Sequence, residues 1–286
     1  MRRVHLVDGT YELFRAHFSK RPDRPRKATV GVVGSLIGLL HDPDELPTHV
    51  AVAFDNPIRS FRNDLFAGYK SDEGVPPELR AQFDAVEEAV AALGVTVWSM
   101  VDHEADDALA SGARRFRDAF DQVRILTPDK DLGQSVIGTR VVQVDRMRKR
   151  VIDEDEVVRA RGVHPESIPD LLALIGDDAD GIPGIPGWGA VSAGAVLAVY
   201  RHLEDIPADP SKWTAKVRSG DRLAAAPAAQ RGDALLYRRL ATLVDDLPLV
   251  KSEDDVAFRG VPRERFLEWC AANEVSDLRD RPTRWL

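Results

Sequence analysis

The chain has 286 residues, 44% of them hydrophobic and 30% charged, enough to bury one large core or one core plus a smaller domain. A single cysteine, Cys270, excludes an internal disulfide and a thiolate metal cluster, so a reducing compartment is the default expectation. The formal net charge of -8 counts against a polyanionic partner only if the acids are spread evenly: should nine of the 47 acids line one pocket, the others nearly balance the 39 basic residues. Met1-Arg2-Arg3 runs within a few residues into Asp8, which leaves no room for a signal-peptide core. The longest apolar window, Ala28 to Leu40, is shorter than the roughly 20 residues of a membrane span. A cytoplasmic protein is expected.

In chain order, Val4-His5-Leu6-Val7 reads as a buried strand that ends in Asp8. The loop Lys20-Arg21-Pro22-Asp23-Arg24-Pro25-Arg26-Lys27 is basic and proline-spaced. It is either a phosphate grip or a solvated turn, and the sequence favours neither. Val30, Val33, Ile37 and Leu40 recur at helical spacing, with Gly31, Gly34 and Gly38 forming a thin face best explained by packing. A second strand, Val50 to Phe54, runs into Asp55.

Residues 56–74 lack clean periodicity and are closed by Pro76-Pro77. A polar excursion from a strand tip that carries Arg59, Arg62 and Lys70 is well placed to hold an anion, although taken alone it is only a surface loop. Leu79, Phe83, Val86, Val90 and Leu93 then mark an amphipathic helix, and Val95 to Trp98 a further strand. Asp102, Glu104, Asp106 and Asp107 crowd the start of the next helix. One or two acids suffice to cap a helix and complement its dipole, and four repel one another, so a cation is expected nearby.

Val123 to Leu126 is a third buried strand, and it delivers Thr127-Pro128-Asp129-Lys130-Asp131-Leu132, two carboxylates two residues apart. In an open parallel α/β sheet the ligand crevice lies outside the carboxyl ends of the strands, where acids from neighbouring strands can meet. Val141 to Val144 and Val151-Ile152 form a predicted hairpin with a basic tip, Arg146 to Arg150, that is either a phosphate contact or a solvated turn. Pro165 to Ile175 reads as a helix leading into a second acid cluster, Gly176-Asp177-Asp178-Ala179-Asp180. Glycines at 181, 184, 187 and 189 come next, before a small-residue helix from Ala190 to about Tyr200. Such a tight hairpin offers backbone amides to phosphate oxygens or carbonyls to a monovalent cation. Pro227 to Leu243 and Pro262 to Asn273 read as helices without evident chemistry, and no internal repeat is present.

Asp8, Asp55, Glu104, Asp106, Asp107, Asp129, Asp131, Asp177 and Asp180 are thus candidates for one pocket with hardly any histidine and no cysteine. Hard oxygen donors in that number suit Mg²⁺ or Mn²⁺ rather than Zn²⁺. Two such ions about 4 Å apart support in-line attack of water on a phosphodiester.

These residues resemble the bacterial and phage 5′-nuclease family, the flap endonucleases and the 5′-nuclease part of DNA polymerase I. The stretches that carry the resemblance are Leu6-Val7-Asp8-Gly9, Phe54-Asp55 with Ser60-Phe61-Arg62, Gly68-Tyr69-Lys70, Leu79-Arg80-Ala81-Gln82, Glu104-Ala105-Asp106-Asp107, Thr127 to Leu132, Gly176-Asp177 with Asp180, and Pro183-Gly184 through Gly189. They cover most of residues 3–200 in family order.

The resemblance implies an α/β fold with a mainly parallel central sheet flanked by helices, a PIN-like or resolvase-like core over residues 1–170 with an arch region near 56–80. It also implies a helical DNA-binding domain over 171–286, with a helix-three-turn-helix element near 171–200. Asp8, Asp55, Glu104 and Asp106 would hold one ion and Asp129, Asp131, Asp177 and Asp180 the other, with Asp107 orienting ligands. Lys70 and Arg80 would belong to the arch and act on the scissile phosphate. Arg59, Arg62, Gly184, Gly187, Gly189 and Ser192 would contact DNA, and the glycine hairpin can hold K⁺ in the family.

The resemblance thus leads one to expect a stand-alone, monomeric, structure-specific 5′-nuclease acting on branched or flapped DNA and 5′ ends, RNA/DNA hybrids included, with no membrane association. Two departures bear on DNA affinity: Asp72-Glu73 where many relatives place a basic residue, and Val191-Ser192 where they commonly show Lys-Thr. The alternatives are a non-catalytic DNA-binding relative and a PIN-type ribonuclease, and Gly181 to Gly189 counts against the latter.

Overall fold

The computed structural model describes residues 1–217, 220, 223–224 and 230–286. In chain order its elements begin with β1 (Arg3–Asp8), α1 (Gly9–His17), α2 (Lys27–Leu40), β2 (His49–Asp55), α3 (Phe61–Leu65) and α4 (Pro77–Arg80). Next come α5 (Phe83–Ala92), β3 (Thr96–Met100), α6 (Ala105–Phe116), β4 (Gln122–Leu126), β5 (Val141–Asp145) and β6 (Arg150–Ile152). The remainder are α7 (Glu154–Arg161), α8 (Ile168–Ile175), α9 (Ala190–Tyr200), α10 (Arg231–Ala241) and α11 (Arg263–Ala272). The described residues form two compact units, one of Met1–Ser60, Asp72–Thr127 and Asp245–Leu286, the other of Phe61–Ser71 and Pro128–Val244.

In the first unit four strands pair in parallel, in the order β3, β2, β1, β4. The apolar runs seen in the sequence are the reason: Val4, Leu6, Val7 and Val50 to Phe54 are all buried, as strands covered on both faces must be. Register places Asp8 opposite Ala53, Val7 opposite Leu126 and Asp55 opposite Met100, so the carboxyl ends of β1, β2 and β4 lie side by side. Helix α6 contacts all four strands, while α2 packs against α1 and α5. The amphipathic helix expected from Leu79 onward is split into α4 and α5. Gln82 makes the break. Its amide donates to the Glu78 carbonyl at 2.9 Å, and its carbonyl oxygen accepts from the Thr29 N–H at 3.1 Å and hydroxyl at 3.2 Å, which pins this turn to α2.

The second unit contains the predicted hairpin, seen as antiparallel β5 and β6, and the helices α7 to α10. Helix α8 packs against α9 and α10 around a core that includes Leu171, Leu172, Leu174, Val196, Leu197 and Leu240. The helix expected over residues 227–243 appears as α10; residues 227–229 lie outside the described residues. The excursion after β2, read from sequence as aperiodic, begins with the short helix α3, which belongs to this unit.

Backbone bonding fixes the excursion's far end. The Lys70 N–H donates to the Asp180 carbonyl at 3.0 Å, and next to it Gly181 has φ +72° and approaches so closely that a Cβ there would lie 2.1 Å from the Gly68 carbonyl oxygen. No helix among the described residues is long and apolar enough to cross a membrane.

Gly181 therefore tolerates no side chain. Gly181→Ala should destabilise the protein by roughly 2–4 kcal/mol, from left-handed backbone strain plus the clash with Gly68. Chemical denaturation checks this; an alanine variant as stable as wild type would show that the two strands of chain do not meet there.

Candidate metal centre and nucleic-acid interface

Within the first unit the acids at the strand ends are held by donors from neighbouring elements. Asp8 caps α1, one carboxylate oxygen accepting the Tyr11 N–H at 2.8 Å and the other the Thr127 hydroxyl at 2.9 Å. The Thr127 bond ties the end of β1 to the residue just past β4. Asp55 accepts the Ala105 N–H at 2.7 Å, and its own N–H donates to the Thr10 hydroxyl at 2.8 Å. Glu104 is buried and accepts from the Ser60 hydroxyl at 2.7 Å.

Glu104 and Asp107 form a reciprocal capping box at the start of α6, with the Glu104 N–H donating to the Asp107 carboxylate at 2.9 Å. The fully buried Asp107 thus fixes the backbone of Glu104, while Asp106, one residue earlier, is partly exposed. Of the crowded acids at this helix start, two are accounted for by capping and one, Asp102, is exposed.

Within the second unit Asp129 caps the short 3-10 helix Lys130–Ser135, accepting the Asp131 N–H at 2.9 Å. Gln143 of β5 donates to the Asp129 carbonyl. Asp177 is buried, accepts the Ala179 N–H at 2.9 Å, and is locked by two 2.8 Å backbone bonds to Ile182. Asp180 pairs with Lys70 (Nζ to Oδ1, 3.1 Å) and accepts from the Tyr69 hydroxyl at 3.4 Å.

Two more cations reach this group. Lys130 Nζ bonds Asp177 and lies 3.7 Å from Asp131, and Arg161 lies 3.4 Å from Asp131. Burial, with repulsion from Asp129, pushes the Asp131 carboxyl up to about 7. Burial works in the same direction on Asp177, yet the hydrogen bond and charge of Lys130, with the Ala179 N–H, hold it below the ordinary carboxylate value. Among the described residues no three His, Cys, Asp or Glu side chains are grouped as a ready cage for a metal ion. The cations of the chain itself answer the acids.

The remaining predicted contacts fare unequally. Arg59 is exposed, as a phosphate contact needs to be. Arg80 is paired with the Asp72 carboxylate and also donates to the Asp72 carbonyl at 3.0 Å, so the first departure from the family pattern engages Arg80 directly. Arg62 is a correction: it is 0% exposed, and its guanidinium donates to the carbonyls of Leu240 at 2.8 Å and Thr242 at 3.0 Å, where it satisfies the end of α10.

Gly184 is a second correction. It is buried at φ +73°, a Cβ there would lie 2.5 Å from the Gly176 nitrogen, and close packing rather than a ligand requires it. Within the glycine hairpin the N–H groups of Ile182, Ile185 and Trp188 are used by the chain's own carbonyls. Gly187 remains exposed at φ +90°, and Gly189 caps α9 through mutual bonds with Ser192 of 3.1 and 3.0 Å.

Sequence reasoning missed Ser60, Thr10, Thr127, Tyr69, Lys130 and Arg161 as partners of the acids. Thr127 and Lys130 stand inside the motif that drew attention to Asp129 and Asp131. Arg161 lies 30 residues from Asp131 and gave no signal.

A family model described as the 5′-3′ exonuclease N-terminal resolvase-like domain matches residues 3–162, and one described as the 5′-3′ exonuclease C-terminal SAM fold matches residues 163–264. The chain belongs to the 5′-3′ exonuclease family. Its relatives include the 5′-3′ exonuclease of Aquifex aeolicus, 30% identical over 91% of this chain and 88% of that protein. DNA polymerase I of Mycobacterium leprae is 33% identical over 96% of this chain but only 31% of the polymerase. The chain therefore spans about a third of such polymerases.

Among solved structures, the T5 5′-exonuclease with bound divalent zinc superposes with a TM-score of 0.67 at 18% identity, covering 95% of this chain and all of that one. The catalytic core of Rad2 in complex with a DNA substrate gives 0.59 at 15% identity over 96% and 88%. The resolvase-like α/β core and helical second domain read from the sequence are confirmed.

The raised Asp131 value has a measurable consequence. In the unfolded chain the carboxyl ionises near 3.8, whereas in the folded chain it stays protonated to about 7. Its stabilising contribution is fully present below the lower value and is lost as pH rises through the upper one. In chelator, the stability difference between wild type and Asp131→Asn should shift by on the order of 3 kcal/mol against wild type between pH 4 and pH 8. Parallel pH profiles for the two proteins would refute the assignment.

Proposed function

We propose that the chain is a divalent-metal-dependent, structure-specific 5′-nuclease that hydrolyses phosphodiesters in branched DNA, cutting 5′ flaps and trimming 5′ ends, with RNA tolerated in the 5′ strand. One observation carries this reading: in a chain of the 5′-3′ exonuclease family, carboxylates end adjacent parallel strands and are aimed by donors from the next element, as Asp8 is by Thr127 and Asp55 by Ala105. Support comes from the relatives, since the T5 enzyme is described with divalent metal ions and Rad2 with a DNA substrate.

The donor set fits hard cations. It is all carboxylate, and in the second unit burial together with neighbouring acids holds Asp131 up at about 7 while Lys70, Lys130 and Arg161 pair with the group. On this reading Asp8, Asp55, Glu104 and Asp106 hold one Mg²⁺ or Mn²⁺, and Asp129, Asp131, Asp177 and Asp180 hold the other. When bound, the ions supply an activated water and stabilise the charge on the departing oxygen. Asp107 keeps Glu104 in place through the capping box.

Lys70, fixed beside Asp180, steers the scissile phosphate into position. Arg80 does so only to the extent that phosphate outcompetes Asp72 for its guanidinium. In this division of labour residues 1–170, joined by Asp177 and Asp180, carry the chemistry, and the rest of residues 171–286 carries most of the duplex contacts. Gly187, Gly189 and Ser192 of the hairpin after α8 lie against the backbone as a helix-three-turn-helix element with K⁺ as its ion, and Arg59 adds an exposed contact. The protein acts as a cytoplasmic monomer.

A 5′-labelled flap substrate incubated with Mg²⁺ or Mn²⁺ tests the proposal. Wild type should cut near the junction of single strand and duplex, and Asp129→Ala should lose at least about two orders of magnitude in rate while still binding the duplex. Equal cutting by the two proteins would reject the assignment.

A further inference from the structure

The acids of the second unit are contacted by side-chain cations, and one of these differs from the others. Lys70 is fixed by its own backbone bond to the Asp180 carbonyl, and Arg161 extends from the end of a helix. Lys130 instead lies in the acid motif itself, between Asp129 and Asp131, at the first position of the 3-10 helix that Asp129 caps. Its ammonium bonds Asp177, which is 47 residues away in sequence, and also lies 3.7 Å from Asp131. A single charge therefore bridges the two segments that provide the acids of the proposed second ion. A lysine suits that task, being a compact point charge on a flexible stem, and about half of this side chain is exposed to solvent.

We propose that Lys130 is a built-in counter-ion for the Asp131–Asp177 pair: it holds the two segments together and is displaced when a divalent cation enters among the same carboxylates. The inference rests on the metal-dependent reading above and adds to it a defined competitor for one of the two ions. A monovalent cation that must leave lowers the apparent affinity of the ion that replaces it, because part of the new attraction only makes good what is lost. The displaced side chain remains tethered next to the acids, and its charge is released for a phosphate group that approaches the loaded protein. Removing the charge should have opposite effects on two measurements: the metal-free protein loses the bridge between its acid segments, and the metal gains access to them. A lysine with only a structural role predicts the first effect and not the second.

Calorimetric titration of the full chain with Mn²⁺ in the absence of DNA, comparing wild type with Lys130→Met, separates these cases. The expected result is two bound ions in both proteins, one of them about tenfold tighter in Lys130→Met, together with a lower melting temperature for that variant in chelator that Mn²⁺ restores. Unchanged or weaker Mn²⁺ affinity in Lys130→Met would overturn the counter-ion role and leave the metal-dependent reading standing, whereas wild type that binds no Mn²⁺ would overturn both. The wild-type protein offers a check free of folding effects. Acylation of the Lys130 amine, followed by peptide mass spectrometry, should accelerate several-fold when Mn²⁺ is added; a rate that stays the same or falls contradicts displacement.

Discussion

Like charges held close together must be compensated somewhere in the structure, and the placement of carboxylates imposes that constraint on both units. In the first unit the parallel register brings the ends of β1 and β2 side by side, and Asp8 and Asp55 stand at those ends because the apolar runs stop there. Each is steadied by a hydroxyl or an amide from a different element: Thr127 and Tyr11 for Asp8, Ala105 for Asp55 and Ser60 for Glu104. A charge-assisted bond to one carboxylate oxygen is stronger than a neutral one and sets the direction of the other oxygen. In the second unit the same demand is met by cations, with Lys130, Lys70 and Arg161 set against Asp131, Asp177 and Asp180. Burial, with repulsion from Asp129, nevertheless holds the Asp131 carboxyl up at about 7.

The second unit also links its acids to the excursion that leaves β2. Arg62 commits its guanidinium to the carbonyls that end α10, and Gly68 to Lys70 close on Asp180-Gly181. Lys70 and the turn that carries Asp177 and Asp180 are therefore parts of one packed assembly. A side chain at 181 would press on the Gly68 carbonyl and reach the Lys70 nitrogen. Asp72 engages Arg80. That pair is exposed, and an exposed ion pair is worth little.

Much of this was legible in the sequence because the signals were local. Buried strands show themselves as apolar runs, and the acids that end them are the next residues along, so β1, β2 and β4 with Asp8, Asp55 and Asp129 could be read directly. The hairpin of β5 and β6 and the helices α8 and α9 flanking the glycine loop were legible for similar reasons. Where tertiary contacts decide, the sequence was silent or misleading. Arg62 has the composition of a surface contact, and only its burial under the end of α10 shows otherwise. Gly184 looks like part of a phosphate nest, but the close approach of Ile175 and Gly176 demands it. The break at Gln82 depends on a bond to Thr29, 53 residues away, which no helical periodicity reveals. The excess of acids at the start of α6 was read as a demand for a cation, and the capping box of Glu104 and Asp107 meets part of that demand with backbone amides.

If these carboxylates hold divalent ions in two sets, one drawn from each unit, anomalous diffraction at the manganese edge from crystals soaked in Mn²⁺ tests that claim most directly. Two peaks are predicted, one bounded by Asp8, Asp55, Glu104 and Asp106 and the other by Asp129, Asp131, Asp177 and Asp180, with the Lys130 ammonium moved off Asp177. Manganese bound at other residues, or none bound at all, would contradict the claim.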